Sequence, residues 1–375
     1  MCIRDSYNTY PGWHIRGIVR DMMLYRGSQF AEPQERLEQA KALVEFVAEA
    51  TRGADTPYQR LLQGELKHMT QMEDYYLHHE HLEENNQPLY FHDFARRLSV
   101  NGLQYLGDAD FASMVSTNFS PSVAKRLQEL GAHDIVQMEQ YMDFVRCRYF
   151  RKTLVCKSGV RLNRTLRPEV VRGLLLSSDA SPAGDASAQT LTFRASSGQS
   201  ITCRSPLTQK ALAILLERWP LPVRFEDLAA QAGAKDEAAV EFLAGEMLTC
   251  MAAGVAEWRL GPPPFTTHVA DKPQASGLAR HQAERSYRVT NLRGETVTLD
   301  ELHRQALRQL NGRRDAAQVA ETLLGSLKAG ELVLQRDSDK SKVTDEAEMR
   351  RLLGPALDKV LANLAKKALL VAPRG

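Results

Sequence analysis

From Pro33 onward, Leu37, Ala40, Leu43, Val44 and Val47 recur at helical spacing, while Glu35, Arg36, Glu38, Gln39 and Lys41 mostly occupy the opposite face. Gly53 reads as the stop. Pro57 then suits a first helical turn, and a second long helix carries Leu61, Leu62, Leu66, Met69, Met72 and Tyr76 toward a histidine-rich end. A shorter helix, Tyr90 to Val100, follows Pro88 and ends at Asn101-Gly102. Ahead of all three, Ile15, Ile18, Val19, Met22 and Met23 keep the same period behind Tyr10-Pro11-Gly12, which predicts a strand end, a turn and a helix.

The pattern changes in the middle of the chain. Helices are predicted at Pro121 to Leu130 and His133 to Arg148, then short strands at Leu154 to Cys156, Leu191 to Ala195 and Ser200 to Cys203, the last two turning at Ser196-Ser197-Gly198. Ser177 to Ala188, rich in Ser, Ala, Asp, Pro and Gly, reads as a flexible loop. Beyond it the chain repeats itself. Ser205-Pro206 opens a helix ending at Trp219-Pro220, followed by a helix with Phe225 and Leu228, a longer one ending at Gly254 and a strand, Val255 to Leu260. Ninety-one positions on, Leu310, Ala316 and Val319 take the places of Trp219, Phe225 and Leu228, after a hairpin, Tyr287 to Asn291 with Glu295 to Leu299. Each copy is winged-helix-like. Gly261 to Pro273 reads as a linker, and Gln335 to Glu348 as a charged, exposed insertion.

The fold class predicted is mainly α with small β elements. Residues 1–30 form a leading segment, 31–115 a helical domain, 116–204 a middle α+β region, 205–260 and 278–375 two winged-helix-like units, and 261–277 the linker between them.

Charge adds little. The 375 residues hold 48 Lys and Arg against 46 Asp and Glu, a net +2, so overall balance selects no polyanionic partner. At 43% hydrophobic and 25% charged, the chain is ordinary globular protein. No run approaches the ~18 apolar residues of a membrane helix, and the start lacks a signal-peptide apolar region, so the expected location is the cytoplasm. The five cysteines include no CxxC pair and read as free thiols.

None of the 23 glycines stands two residues from another, so the GxG turn of a nucleotide or S-adenosylmethionine site is not encoded. Gly12/Gly17 and Gly102/Gly107 have phosphate-loop spacing, but Ile18-Val19 and Asp108-Ala109 stand where Lys-Ser/Thr is required. In Tyr75 to Glu84, His79 and Glu83 share one helical face and His78 and His81 another. The zinc-protease pattern needs a second histidine where Glu83 stands, so a polar helix end is preferred to a metal site. Glu80 is placed to cap the turn Asn85 to Pro88. The run Arg146, Arg148, Arg151, Lys152, Lys157, Arg161, Arg164 and Arg167, without an acid from Phe144 through Pro168, offers nucleic-acid binding as an alternative function. Against it stands pairing with acids such as Glu139 and Asp143. No GxSxG elbow is present, and no catalytic residue is assigned.

Ser6 to His14, Arg20 to Met23, His79 to Glu83, Pro88 to Phe91 with Phe94, and Glu139 to Phe144 with Arg148 to Arg151 resemble bacterial methyltransferases that carry a methyltransferase regulatory domain, among them rickettsial protein lysine methyltransferases. The resemblance continues more loosely through Arg280 to Ala283 and Ala368 to Leu370. It implies that residues 31–115 are the regulatory domain and that a class I S-adenosylmethionine domain precedes it. It further implies that this chain is a C-terminal fragment lacking that domain, with Met1 to Asp5 a non-native leader. It implies no cofactor held by this chain itself, S-adenosylmethionine belonging to the full-length parent. The implied partners are the missing domain, a protein substrate and a second copy in a homodimer. By position, Tyr7, Asn8, Trp13, His79, Glu80, Glu83, Arg148 and Arg151 are the candidates for the substrate or domain interface, with no metal ligand among them.

Overall fold

The computed structural model describes residues 2–131, 134–187, 190–335 and 341–372. The chain divides into two units, residues 1–165 and 166–375.

The first unit opens with β1 (Cys2–Asn8), α1 (Gly12–Gly27), α2 (Pro33–Ala50), α3 (Pro57–Met69) and the short α4 (Asp74–Leu77). The predicted strand end, turn and helix at Tyr7 to Met23 is therefore present. Pro33 and Pro57 start their helices because a missing N–H costs nothing in a first turn, and the Thr56 hydroxyl accepts from the Gln59 amide at 3.2 Å. The periodic apolar residues meet as the sequence requires: Val19 and Met23 of α1, Leu37, Ala40 and Val44 of α2, and Leu62 and Met69 of α3 form one core. Each large aliphatic side chain buried there contributes about 1.5–3 kcal/mol.

The unit is completed by α5 (Phe91–Val100), β2 (Leu103–Asp108), α6 (Pro121–Leu130), α7 (Ile135–Arg146) and β3 (Phe150–Lys157). The strands pair antiparallel in the order β1-β3-β2, with Tyr7 opposite Arg151 and Asn8 opposite Phe150. The helix expected at His133 to Arg148 starts later and stops earlier. Asp134 caps it through the Val136 amide at 2.8 Å, and Cys147 ends it in the left-handed region at φ 49°. His133 lies outside the described residues.

The second unit contains β4 (Leu175–Ser177), β5 (Ser181–Ser187), β6 (Thr190–Arg194), β7 (Ser200–Cys203), α8 (Pro206–Arg218), β8 (Val223–Arg224), α9 (Phe225–Ala232), α10 (Glu237–Ala252) and β9 (Glu257–Arg259). The loop expected over Ser177 to Ala188 is corrected: Ser181–Ser187 is a strand, whose pairing with β6 supplies the order that its small polar residues do not encode alone. Ala188 is outside the described residues. The hairpin β6–β7 turns where the sequence placed it. β4 lies between β8 and β9, tying the trio α8–α10 to the middle sheet strands.

α11 (Gly277–Gln282), β10 (Arg288–Thr290), β11 (Thr296–Thr298), α12 (Glu301–Gln309), α13 (Ala316–Ala329) and α14 (Glu346–Lys366) follow. Asp300, Asp315 and Asp345 cap the three long helices, Asp315 in a reciprocal box with Gln318. Part of the charged insertion is thus structural: Asp345 to Glu348 starts α14 instead of lying in a loop, and 336–340 is outside the described residues. Leu307, Leu310, Val319, Leu323, Leu357, Leu361 and Leu364 form its core.

Candidate functional site

Most of the candidate residues gather around the turn that follows β1. Thr9 donates its amide to the Tyr149 carbonyl at 2.9 Å and its hydroxyl to the Leu89 carbonyl at 2.6 Å, and Gly12 donates to the Arg148 carbonyl at 2.9 Å. Gly12 is required by this approach, since a Cβ would lie 2.3 Å from the Cys147 oxygen. Asn8 is half-buried and its amide donates to Asn86 Oδ1 at 3.1 Å, while Asn86 donates to the Glu80 carbonyl at 3.0 Å. A chain of side-chain amides therefore joins the turn to the histidine-rich segment. Tyr7 stacks on Phe94 with centroids 4.2 Å apart and accepts from the Thr153 hydroxyl at 3.4 Å; burial raises its phenol above the ordinary range. Trp13 is buried in the helical face of α1.

Beneath this turn lies an ion network. Arg151 is fully buried, donates to both Asp143 oxygens at 2.7 and 2.8 Å and to Glu139 Oε2 at 2.9 Å, and sits 3.9 Å over the Phe91 ring. Arg148 pairs with Asp108 at 3.1 Å and Asp143 at 3.2 Å. Burial pushes the Glu139 and Asp143 carboxyls up, and the Arg151 guanidinium pulls them back only in part. A hollow of about 340 Å³ opens beside the network, lined by Asp108, Asp110, Ser113, Arg146, Arg148 and Lys152 among others. Arg148 and Arg151, central to the basic run, are paired with the buried carboxylates of Asp108, Glu139 and Asp143, the pairing that the sequence set against nucleic-acid binding. Sequence quoted Glu139 and Asp143 only as possible pairing acids. Their i,i+4 spacing on α7 was the available signal, and Asp108 had none.

The histidine-rich end departs from a solvated polar helix terminus. His78–Leu82 is one π-helical turn with Glu80, His81 and Leu82 buried and His79 and Glu83 exposed. His79 and Glu83 line a separate hollow of about 450 Å³ with Arg36, Tyr75 and His78. Both ring nitrogens of His81 are without a hydrogen-bond partner among the described residues. Burial, then Arg16 and Arg20, lower its pKa to about 4, so the ring is neutral at pH 7. Arg16, buried as well, contacts His68 Nε2 at 2.8 Å and lies 3.7 Å over the Tyr149 ring. Among the described residues no cluster of three metal-ligating side chains occurs, and no helix is long and apolar enough to cross a membrane. Tyr7, Asn8, Arg148 and Arg151 thus share one neighbourhood on β1, β3 and the segment that leads from α7 into β3. Glu80 is linked to it through Asn86, and His79 and Glu83 are not part of it.

Two family models match this chain: a predicted methyltransferase regulatory domain over residues 73–157, and the C-terminal winged helix domain of PKMT over residues 271–369. The Rickettsia prowazekii protein RP789, which is uncharacterized, is 31% identical across 96% of this chain and 68% of its own length. The uncharacterized Synechocystis protein sll1526 is 28% identical over 42% of this chain and 31% of its own. The structure of PKMT2 from Rickettsia typhi in complex with AdoHcy matches with a TM-score of 0.81 and 25% identity, covering 99% of this chain and 75% of that one. That match overturns the expectation of no cofactor: the structure on which nearly all of this chain superposes is one solved with AdoHcy. The sheets of the described residues are small and antiparallel, with no glycine-rich turn at a strand end to cradle a nucleoside.

Proposed function

We propose, from the premise that this chain belongs to the family of the Rickettsia prowazekii protein RP789, that it is the regulatory, dimerising and substrate-presenting part of an S-adenosylmethionine-dependent methyltransferase whose acceptor is a protein lysine. The observation that carries this reading is the match of 99% of the chain to PKMT2 with AdoHcy, joined to a regulatory-domain match that spans the buried network. S-adenosylmethionine supplies an electrophilic methyl group, and the acceptor lysine must reach it as a neutral, oriented amine. The contribution assigned to this chain is orientation. The turn Tyr7 to Trp13 is fixed by backbone bonds to Leu89, Arg148 and Tyr149, and the Arg151 network fixes that backbone in turn. A presenting surface held by buried charge-assisted bonds loses little entropy when a substrate docks.

The test uses the whole chain and fluorescence anisotropy with a labelled lysine-rich protein segment and its lysine-acetylated form. Saturable binding that acetylation weakens at least about tenfold, or 1.4 kcal/mol, supports the reading. Equal or absent binding refutes it. Calorimetric titration of the same preparation with AdoHcy tests the cofactor separately.

A further inference from the structure

Five aromatic rings touch one another on the surface of the first unit: Tyr10 in the turn after β1, His14 on α1, Tyr90 just ahead of α5, His92 on α5 and Phe144 on α7. Tyr10 stacks on His14 with centroids 4.0 Å apart, and Tyr90 lies 5.2 Å from Tyr10, 5.5 Å from His92 and 6.0 Å from Phe144. The planes of Tyr10, His14 and Phe144 are tilted to that of Tyr90 by 46°, 60° and 65°, so the row is angled rather than a flat stack. All five are exposed or half-buried, Phe144 at 47%. They are nevertheless held. His14 Nε2 is 3.3 Å from the Tyr90 hydroxyl, and the buried Gln140 Oε1 accepts from the His92 amide at 3.1 Å and lies 2.9 Å from ring Nδ1. Side chains fixed in advance lose little entropy when a ligand arrives.

Several other aromatic faces of this unit already carry a guanidinium. Arg16 covers Tyr149 at 3.7 Å, Arg146 covers Phe119 at 4.4 Å and Arg151 covers Phe91 at 3.9 Å. Among the described residues, no arginine or lysine lies over Tyr10, Tyr90 or Phe144. A ring face is the negative side of the π quadrupole and attracts a cation within about 6 Å, so the occupant that matches this row is cationic. Hydrogen bonding narrows the choice. An unmodified ammonium brings three N–H donors. The carboxylate at the edge of the row, Asp93, lies 3.7 Å from His92 Nε2 and is already paired with Arg96 at 2.7 Å. A trimethylammonium has no N–H to satisfy, and bare ring faces suit it.

We propose that this row docks a methylated lysine of a protein segment, its trimethylammonium resting against the angled rings of His14, Tyr90 and Phe144. The choice of occupant rests on the reading above, since transfer to a protein lysine makes that group and Tyr10 belongs to the turn assigned to presentation. A segment already methylated is then held by the row while another of its lysines is presented. Each ring at such an exposed site strengthens binding about two- to fivefold.

The test measures fluorescence anisotropy of the whole chain at pH 8 with a labelled lysine-rich segment in three forms: unmodified, trimethylated, and bearing the neutral isostere in which carbon replaces the quaternary nitrogen. The trimethylated form should bind at least about fivefold more tightly than either of the others. His14→Leu and Phe144→Leu, shown by their melts to be folded, should each lose most of that preference. Tyr25→Leu, at a ring outside the row that is 75% exposed on α1, should keep it. Equal affinity for the trimethylated form and its isostere overturns the inference, as does a preference that survives both substitutions together. The arms also separate it from the presentation reading. Binding of the trimethylated form alone refutes that reading and supports this one. An unmodified segment that binds and is weakened by acetylation, beside a trimethylated one no tighter than its isostere, does the reverse.

Discussion

Replacing Arg151 by Met is the sharpest perturbation of the network under the Tyr7 to Trp13 turn. Methionine keeps much of the apolar stem and its contact with Phe91, but removes the charge-assisted bonds to Asp143 at 2.7 and 2.8 Å and to Glu139 at 2.9 Å. All three side chains are without solvent exposure, so water cannot replace the lost donors. Removing one partner of a buried ion pair costs about 3–5 kcal/mol, because the remaining charge is left uncompensated. Hydrogen exchange of peptides from α7 and β3, corrected for intrinsic rates, should therefore lose about a hundredfold to a few thousandfold of protection at pH 7.5. The dependence on pH supplies a second check. Burial already raises both carboxyls, and without Arg151 they rise further. A raised folded-state pKa contributes stability below the unfolded value and loses it as pH climbs through the folded value, so the variant is worst in alkali. Its deficit relative to the parent should shrink between pH 7.5 and 5.5 by up to about 1.4 kcal/mol per unit for each proton taken up. The comparison with the parent cancels the titration of His81. A protection loss under about tenfold (1.4 kcal/mol), or a deficit that grows in acid, refutes the reasoning.

Gly12→Ala should destabilise the first unit by about 2–3 kcal/mol, since the added carbon meets the Cys147 oxygen at 2.3 Å and the Arg148 carbonyl carbon at 2.7 Å, both backbone; urea denaturation checks it. His81, depressed from 6.5 to about 4, contributes stability that is complete above 6.5 and lost as pH falls through the interval to 4; His81→Leu should flatten that part of the stability profile. Cys147→Gly relieves a left-handed residue at the end of α7 and should raise stability by about 0.5–1 kcal/mol in a thermal melt. Arg148→Ala with Arg151→Ala should leave the affinity for duplex DNA and its salt dependence unchanged while lowering thermal stability, measured by anisotropy and calorimetry.

Local information was enough for much of this molecule. The helices at Pro33 and Pro57, the hairpin at Ser196 to Gly198 and the Asp300 start of α12 rest on contacts within a few residues, where period, prolines and, at Asp300, a capping oxygen act directly. The strand at Ser181–Ser187 did not reveal itself, because small polar residues become a strand only when β6 supplies partners for their backbone. Chemistry divided in the same way. Sequence displayed eight cations in a basic run, but a charge shows its partner only in space: Asp108 lies forty residues before Arg148 and meets it through the pairing of β2 with β3. Likewise His81 reads as one polar residue among several until the π turn rotates it inward beside Arg16, where the cost of a buried charge makes it neutral. Propensity and pattern fixed which segments are helices and where they begin; desolvation, which depends on everything packed around a side chain, decided which of its charges are free to act.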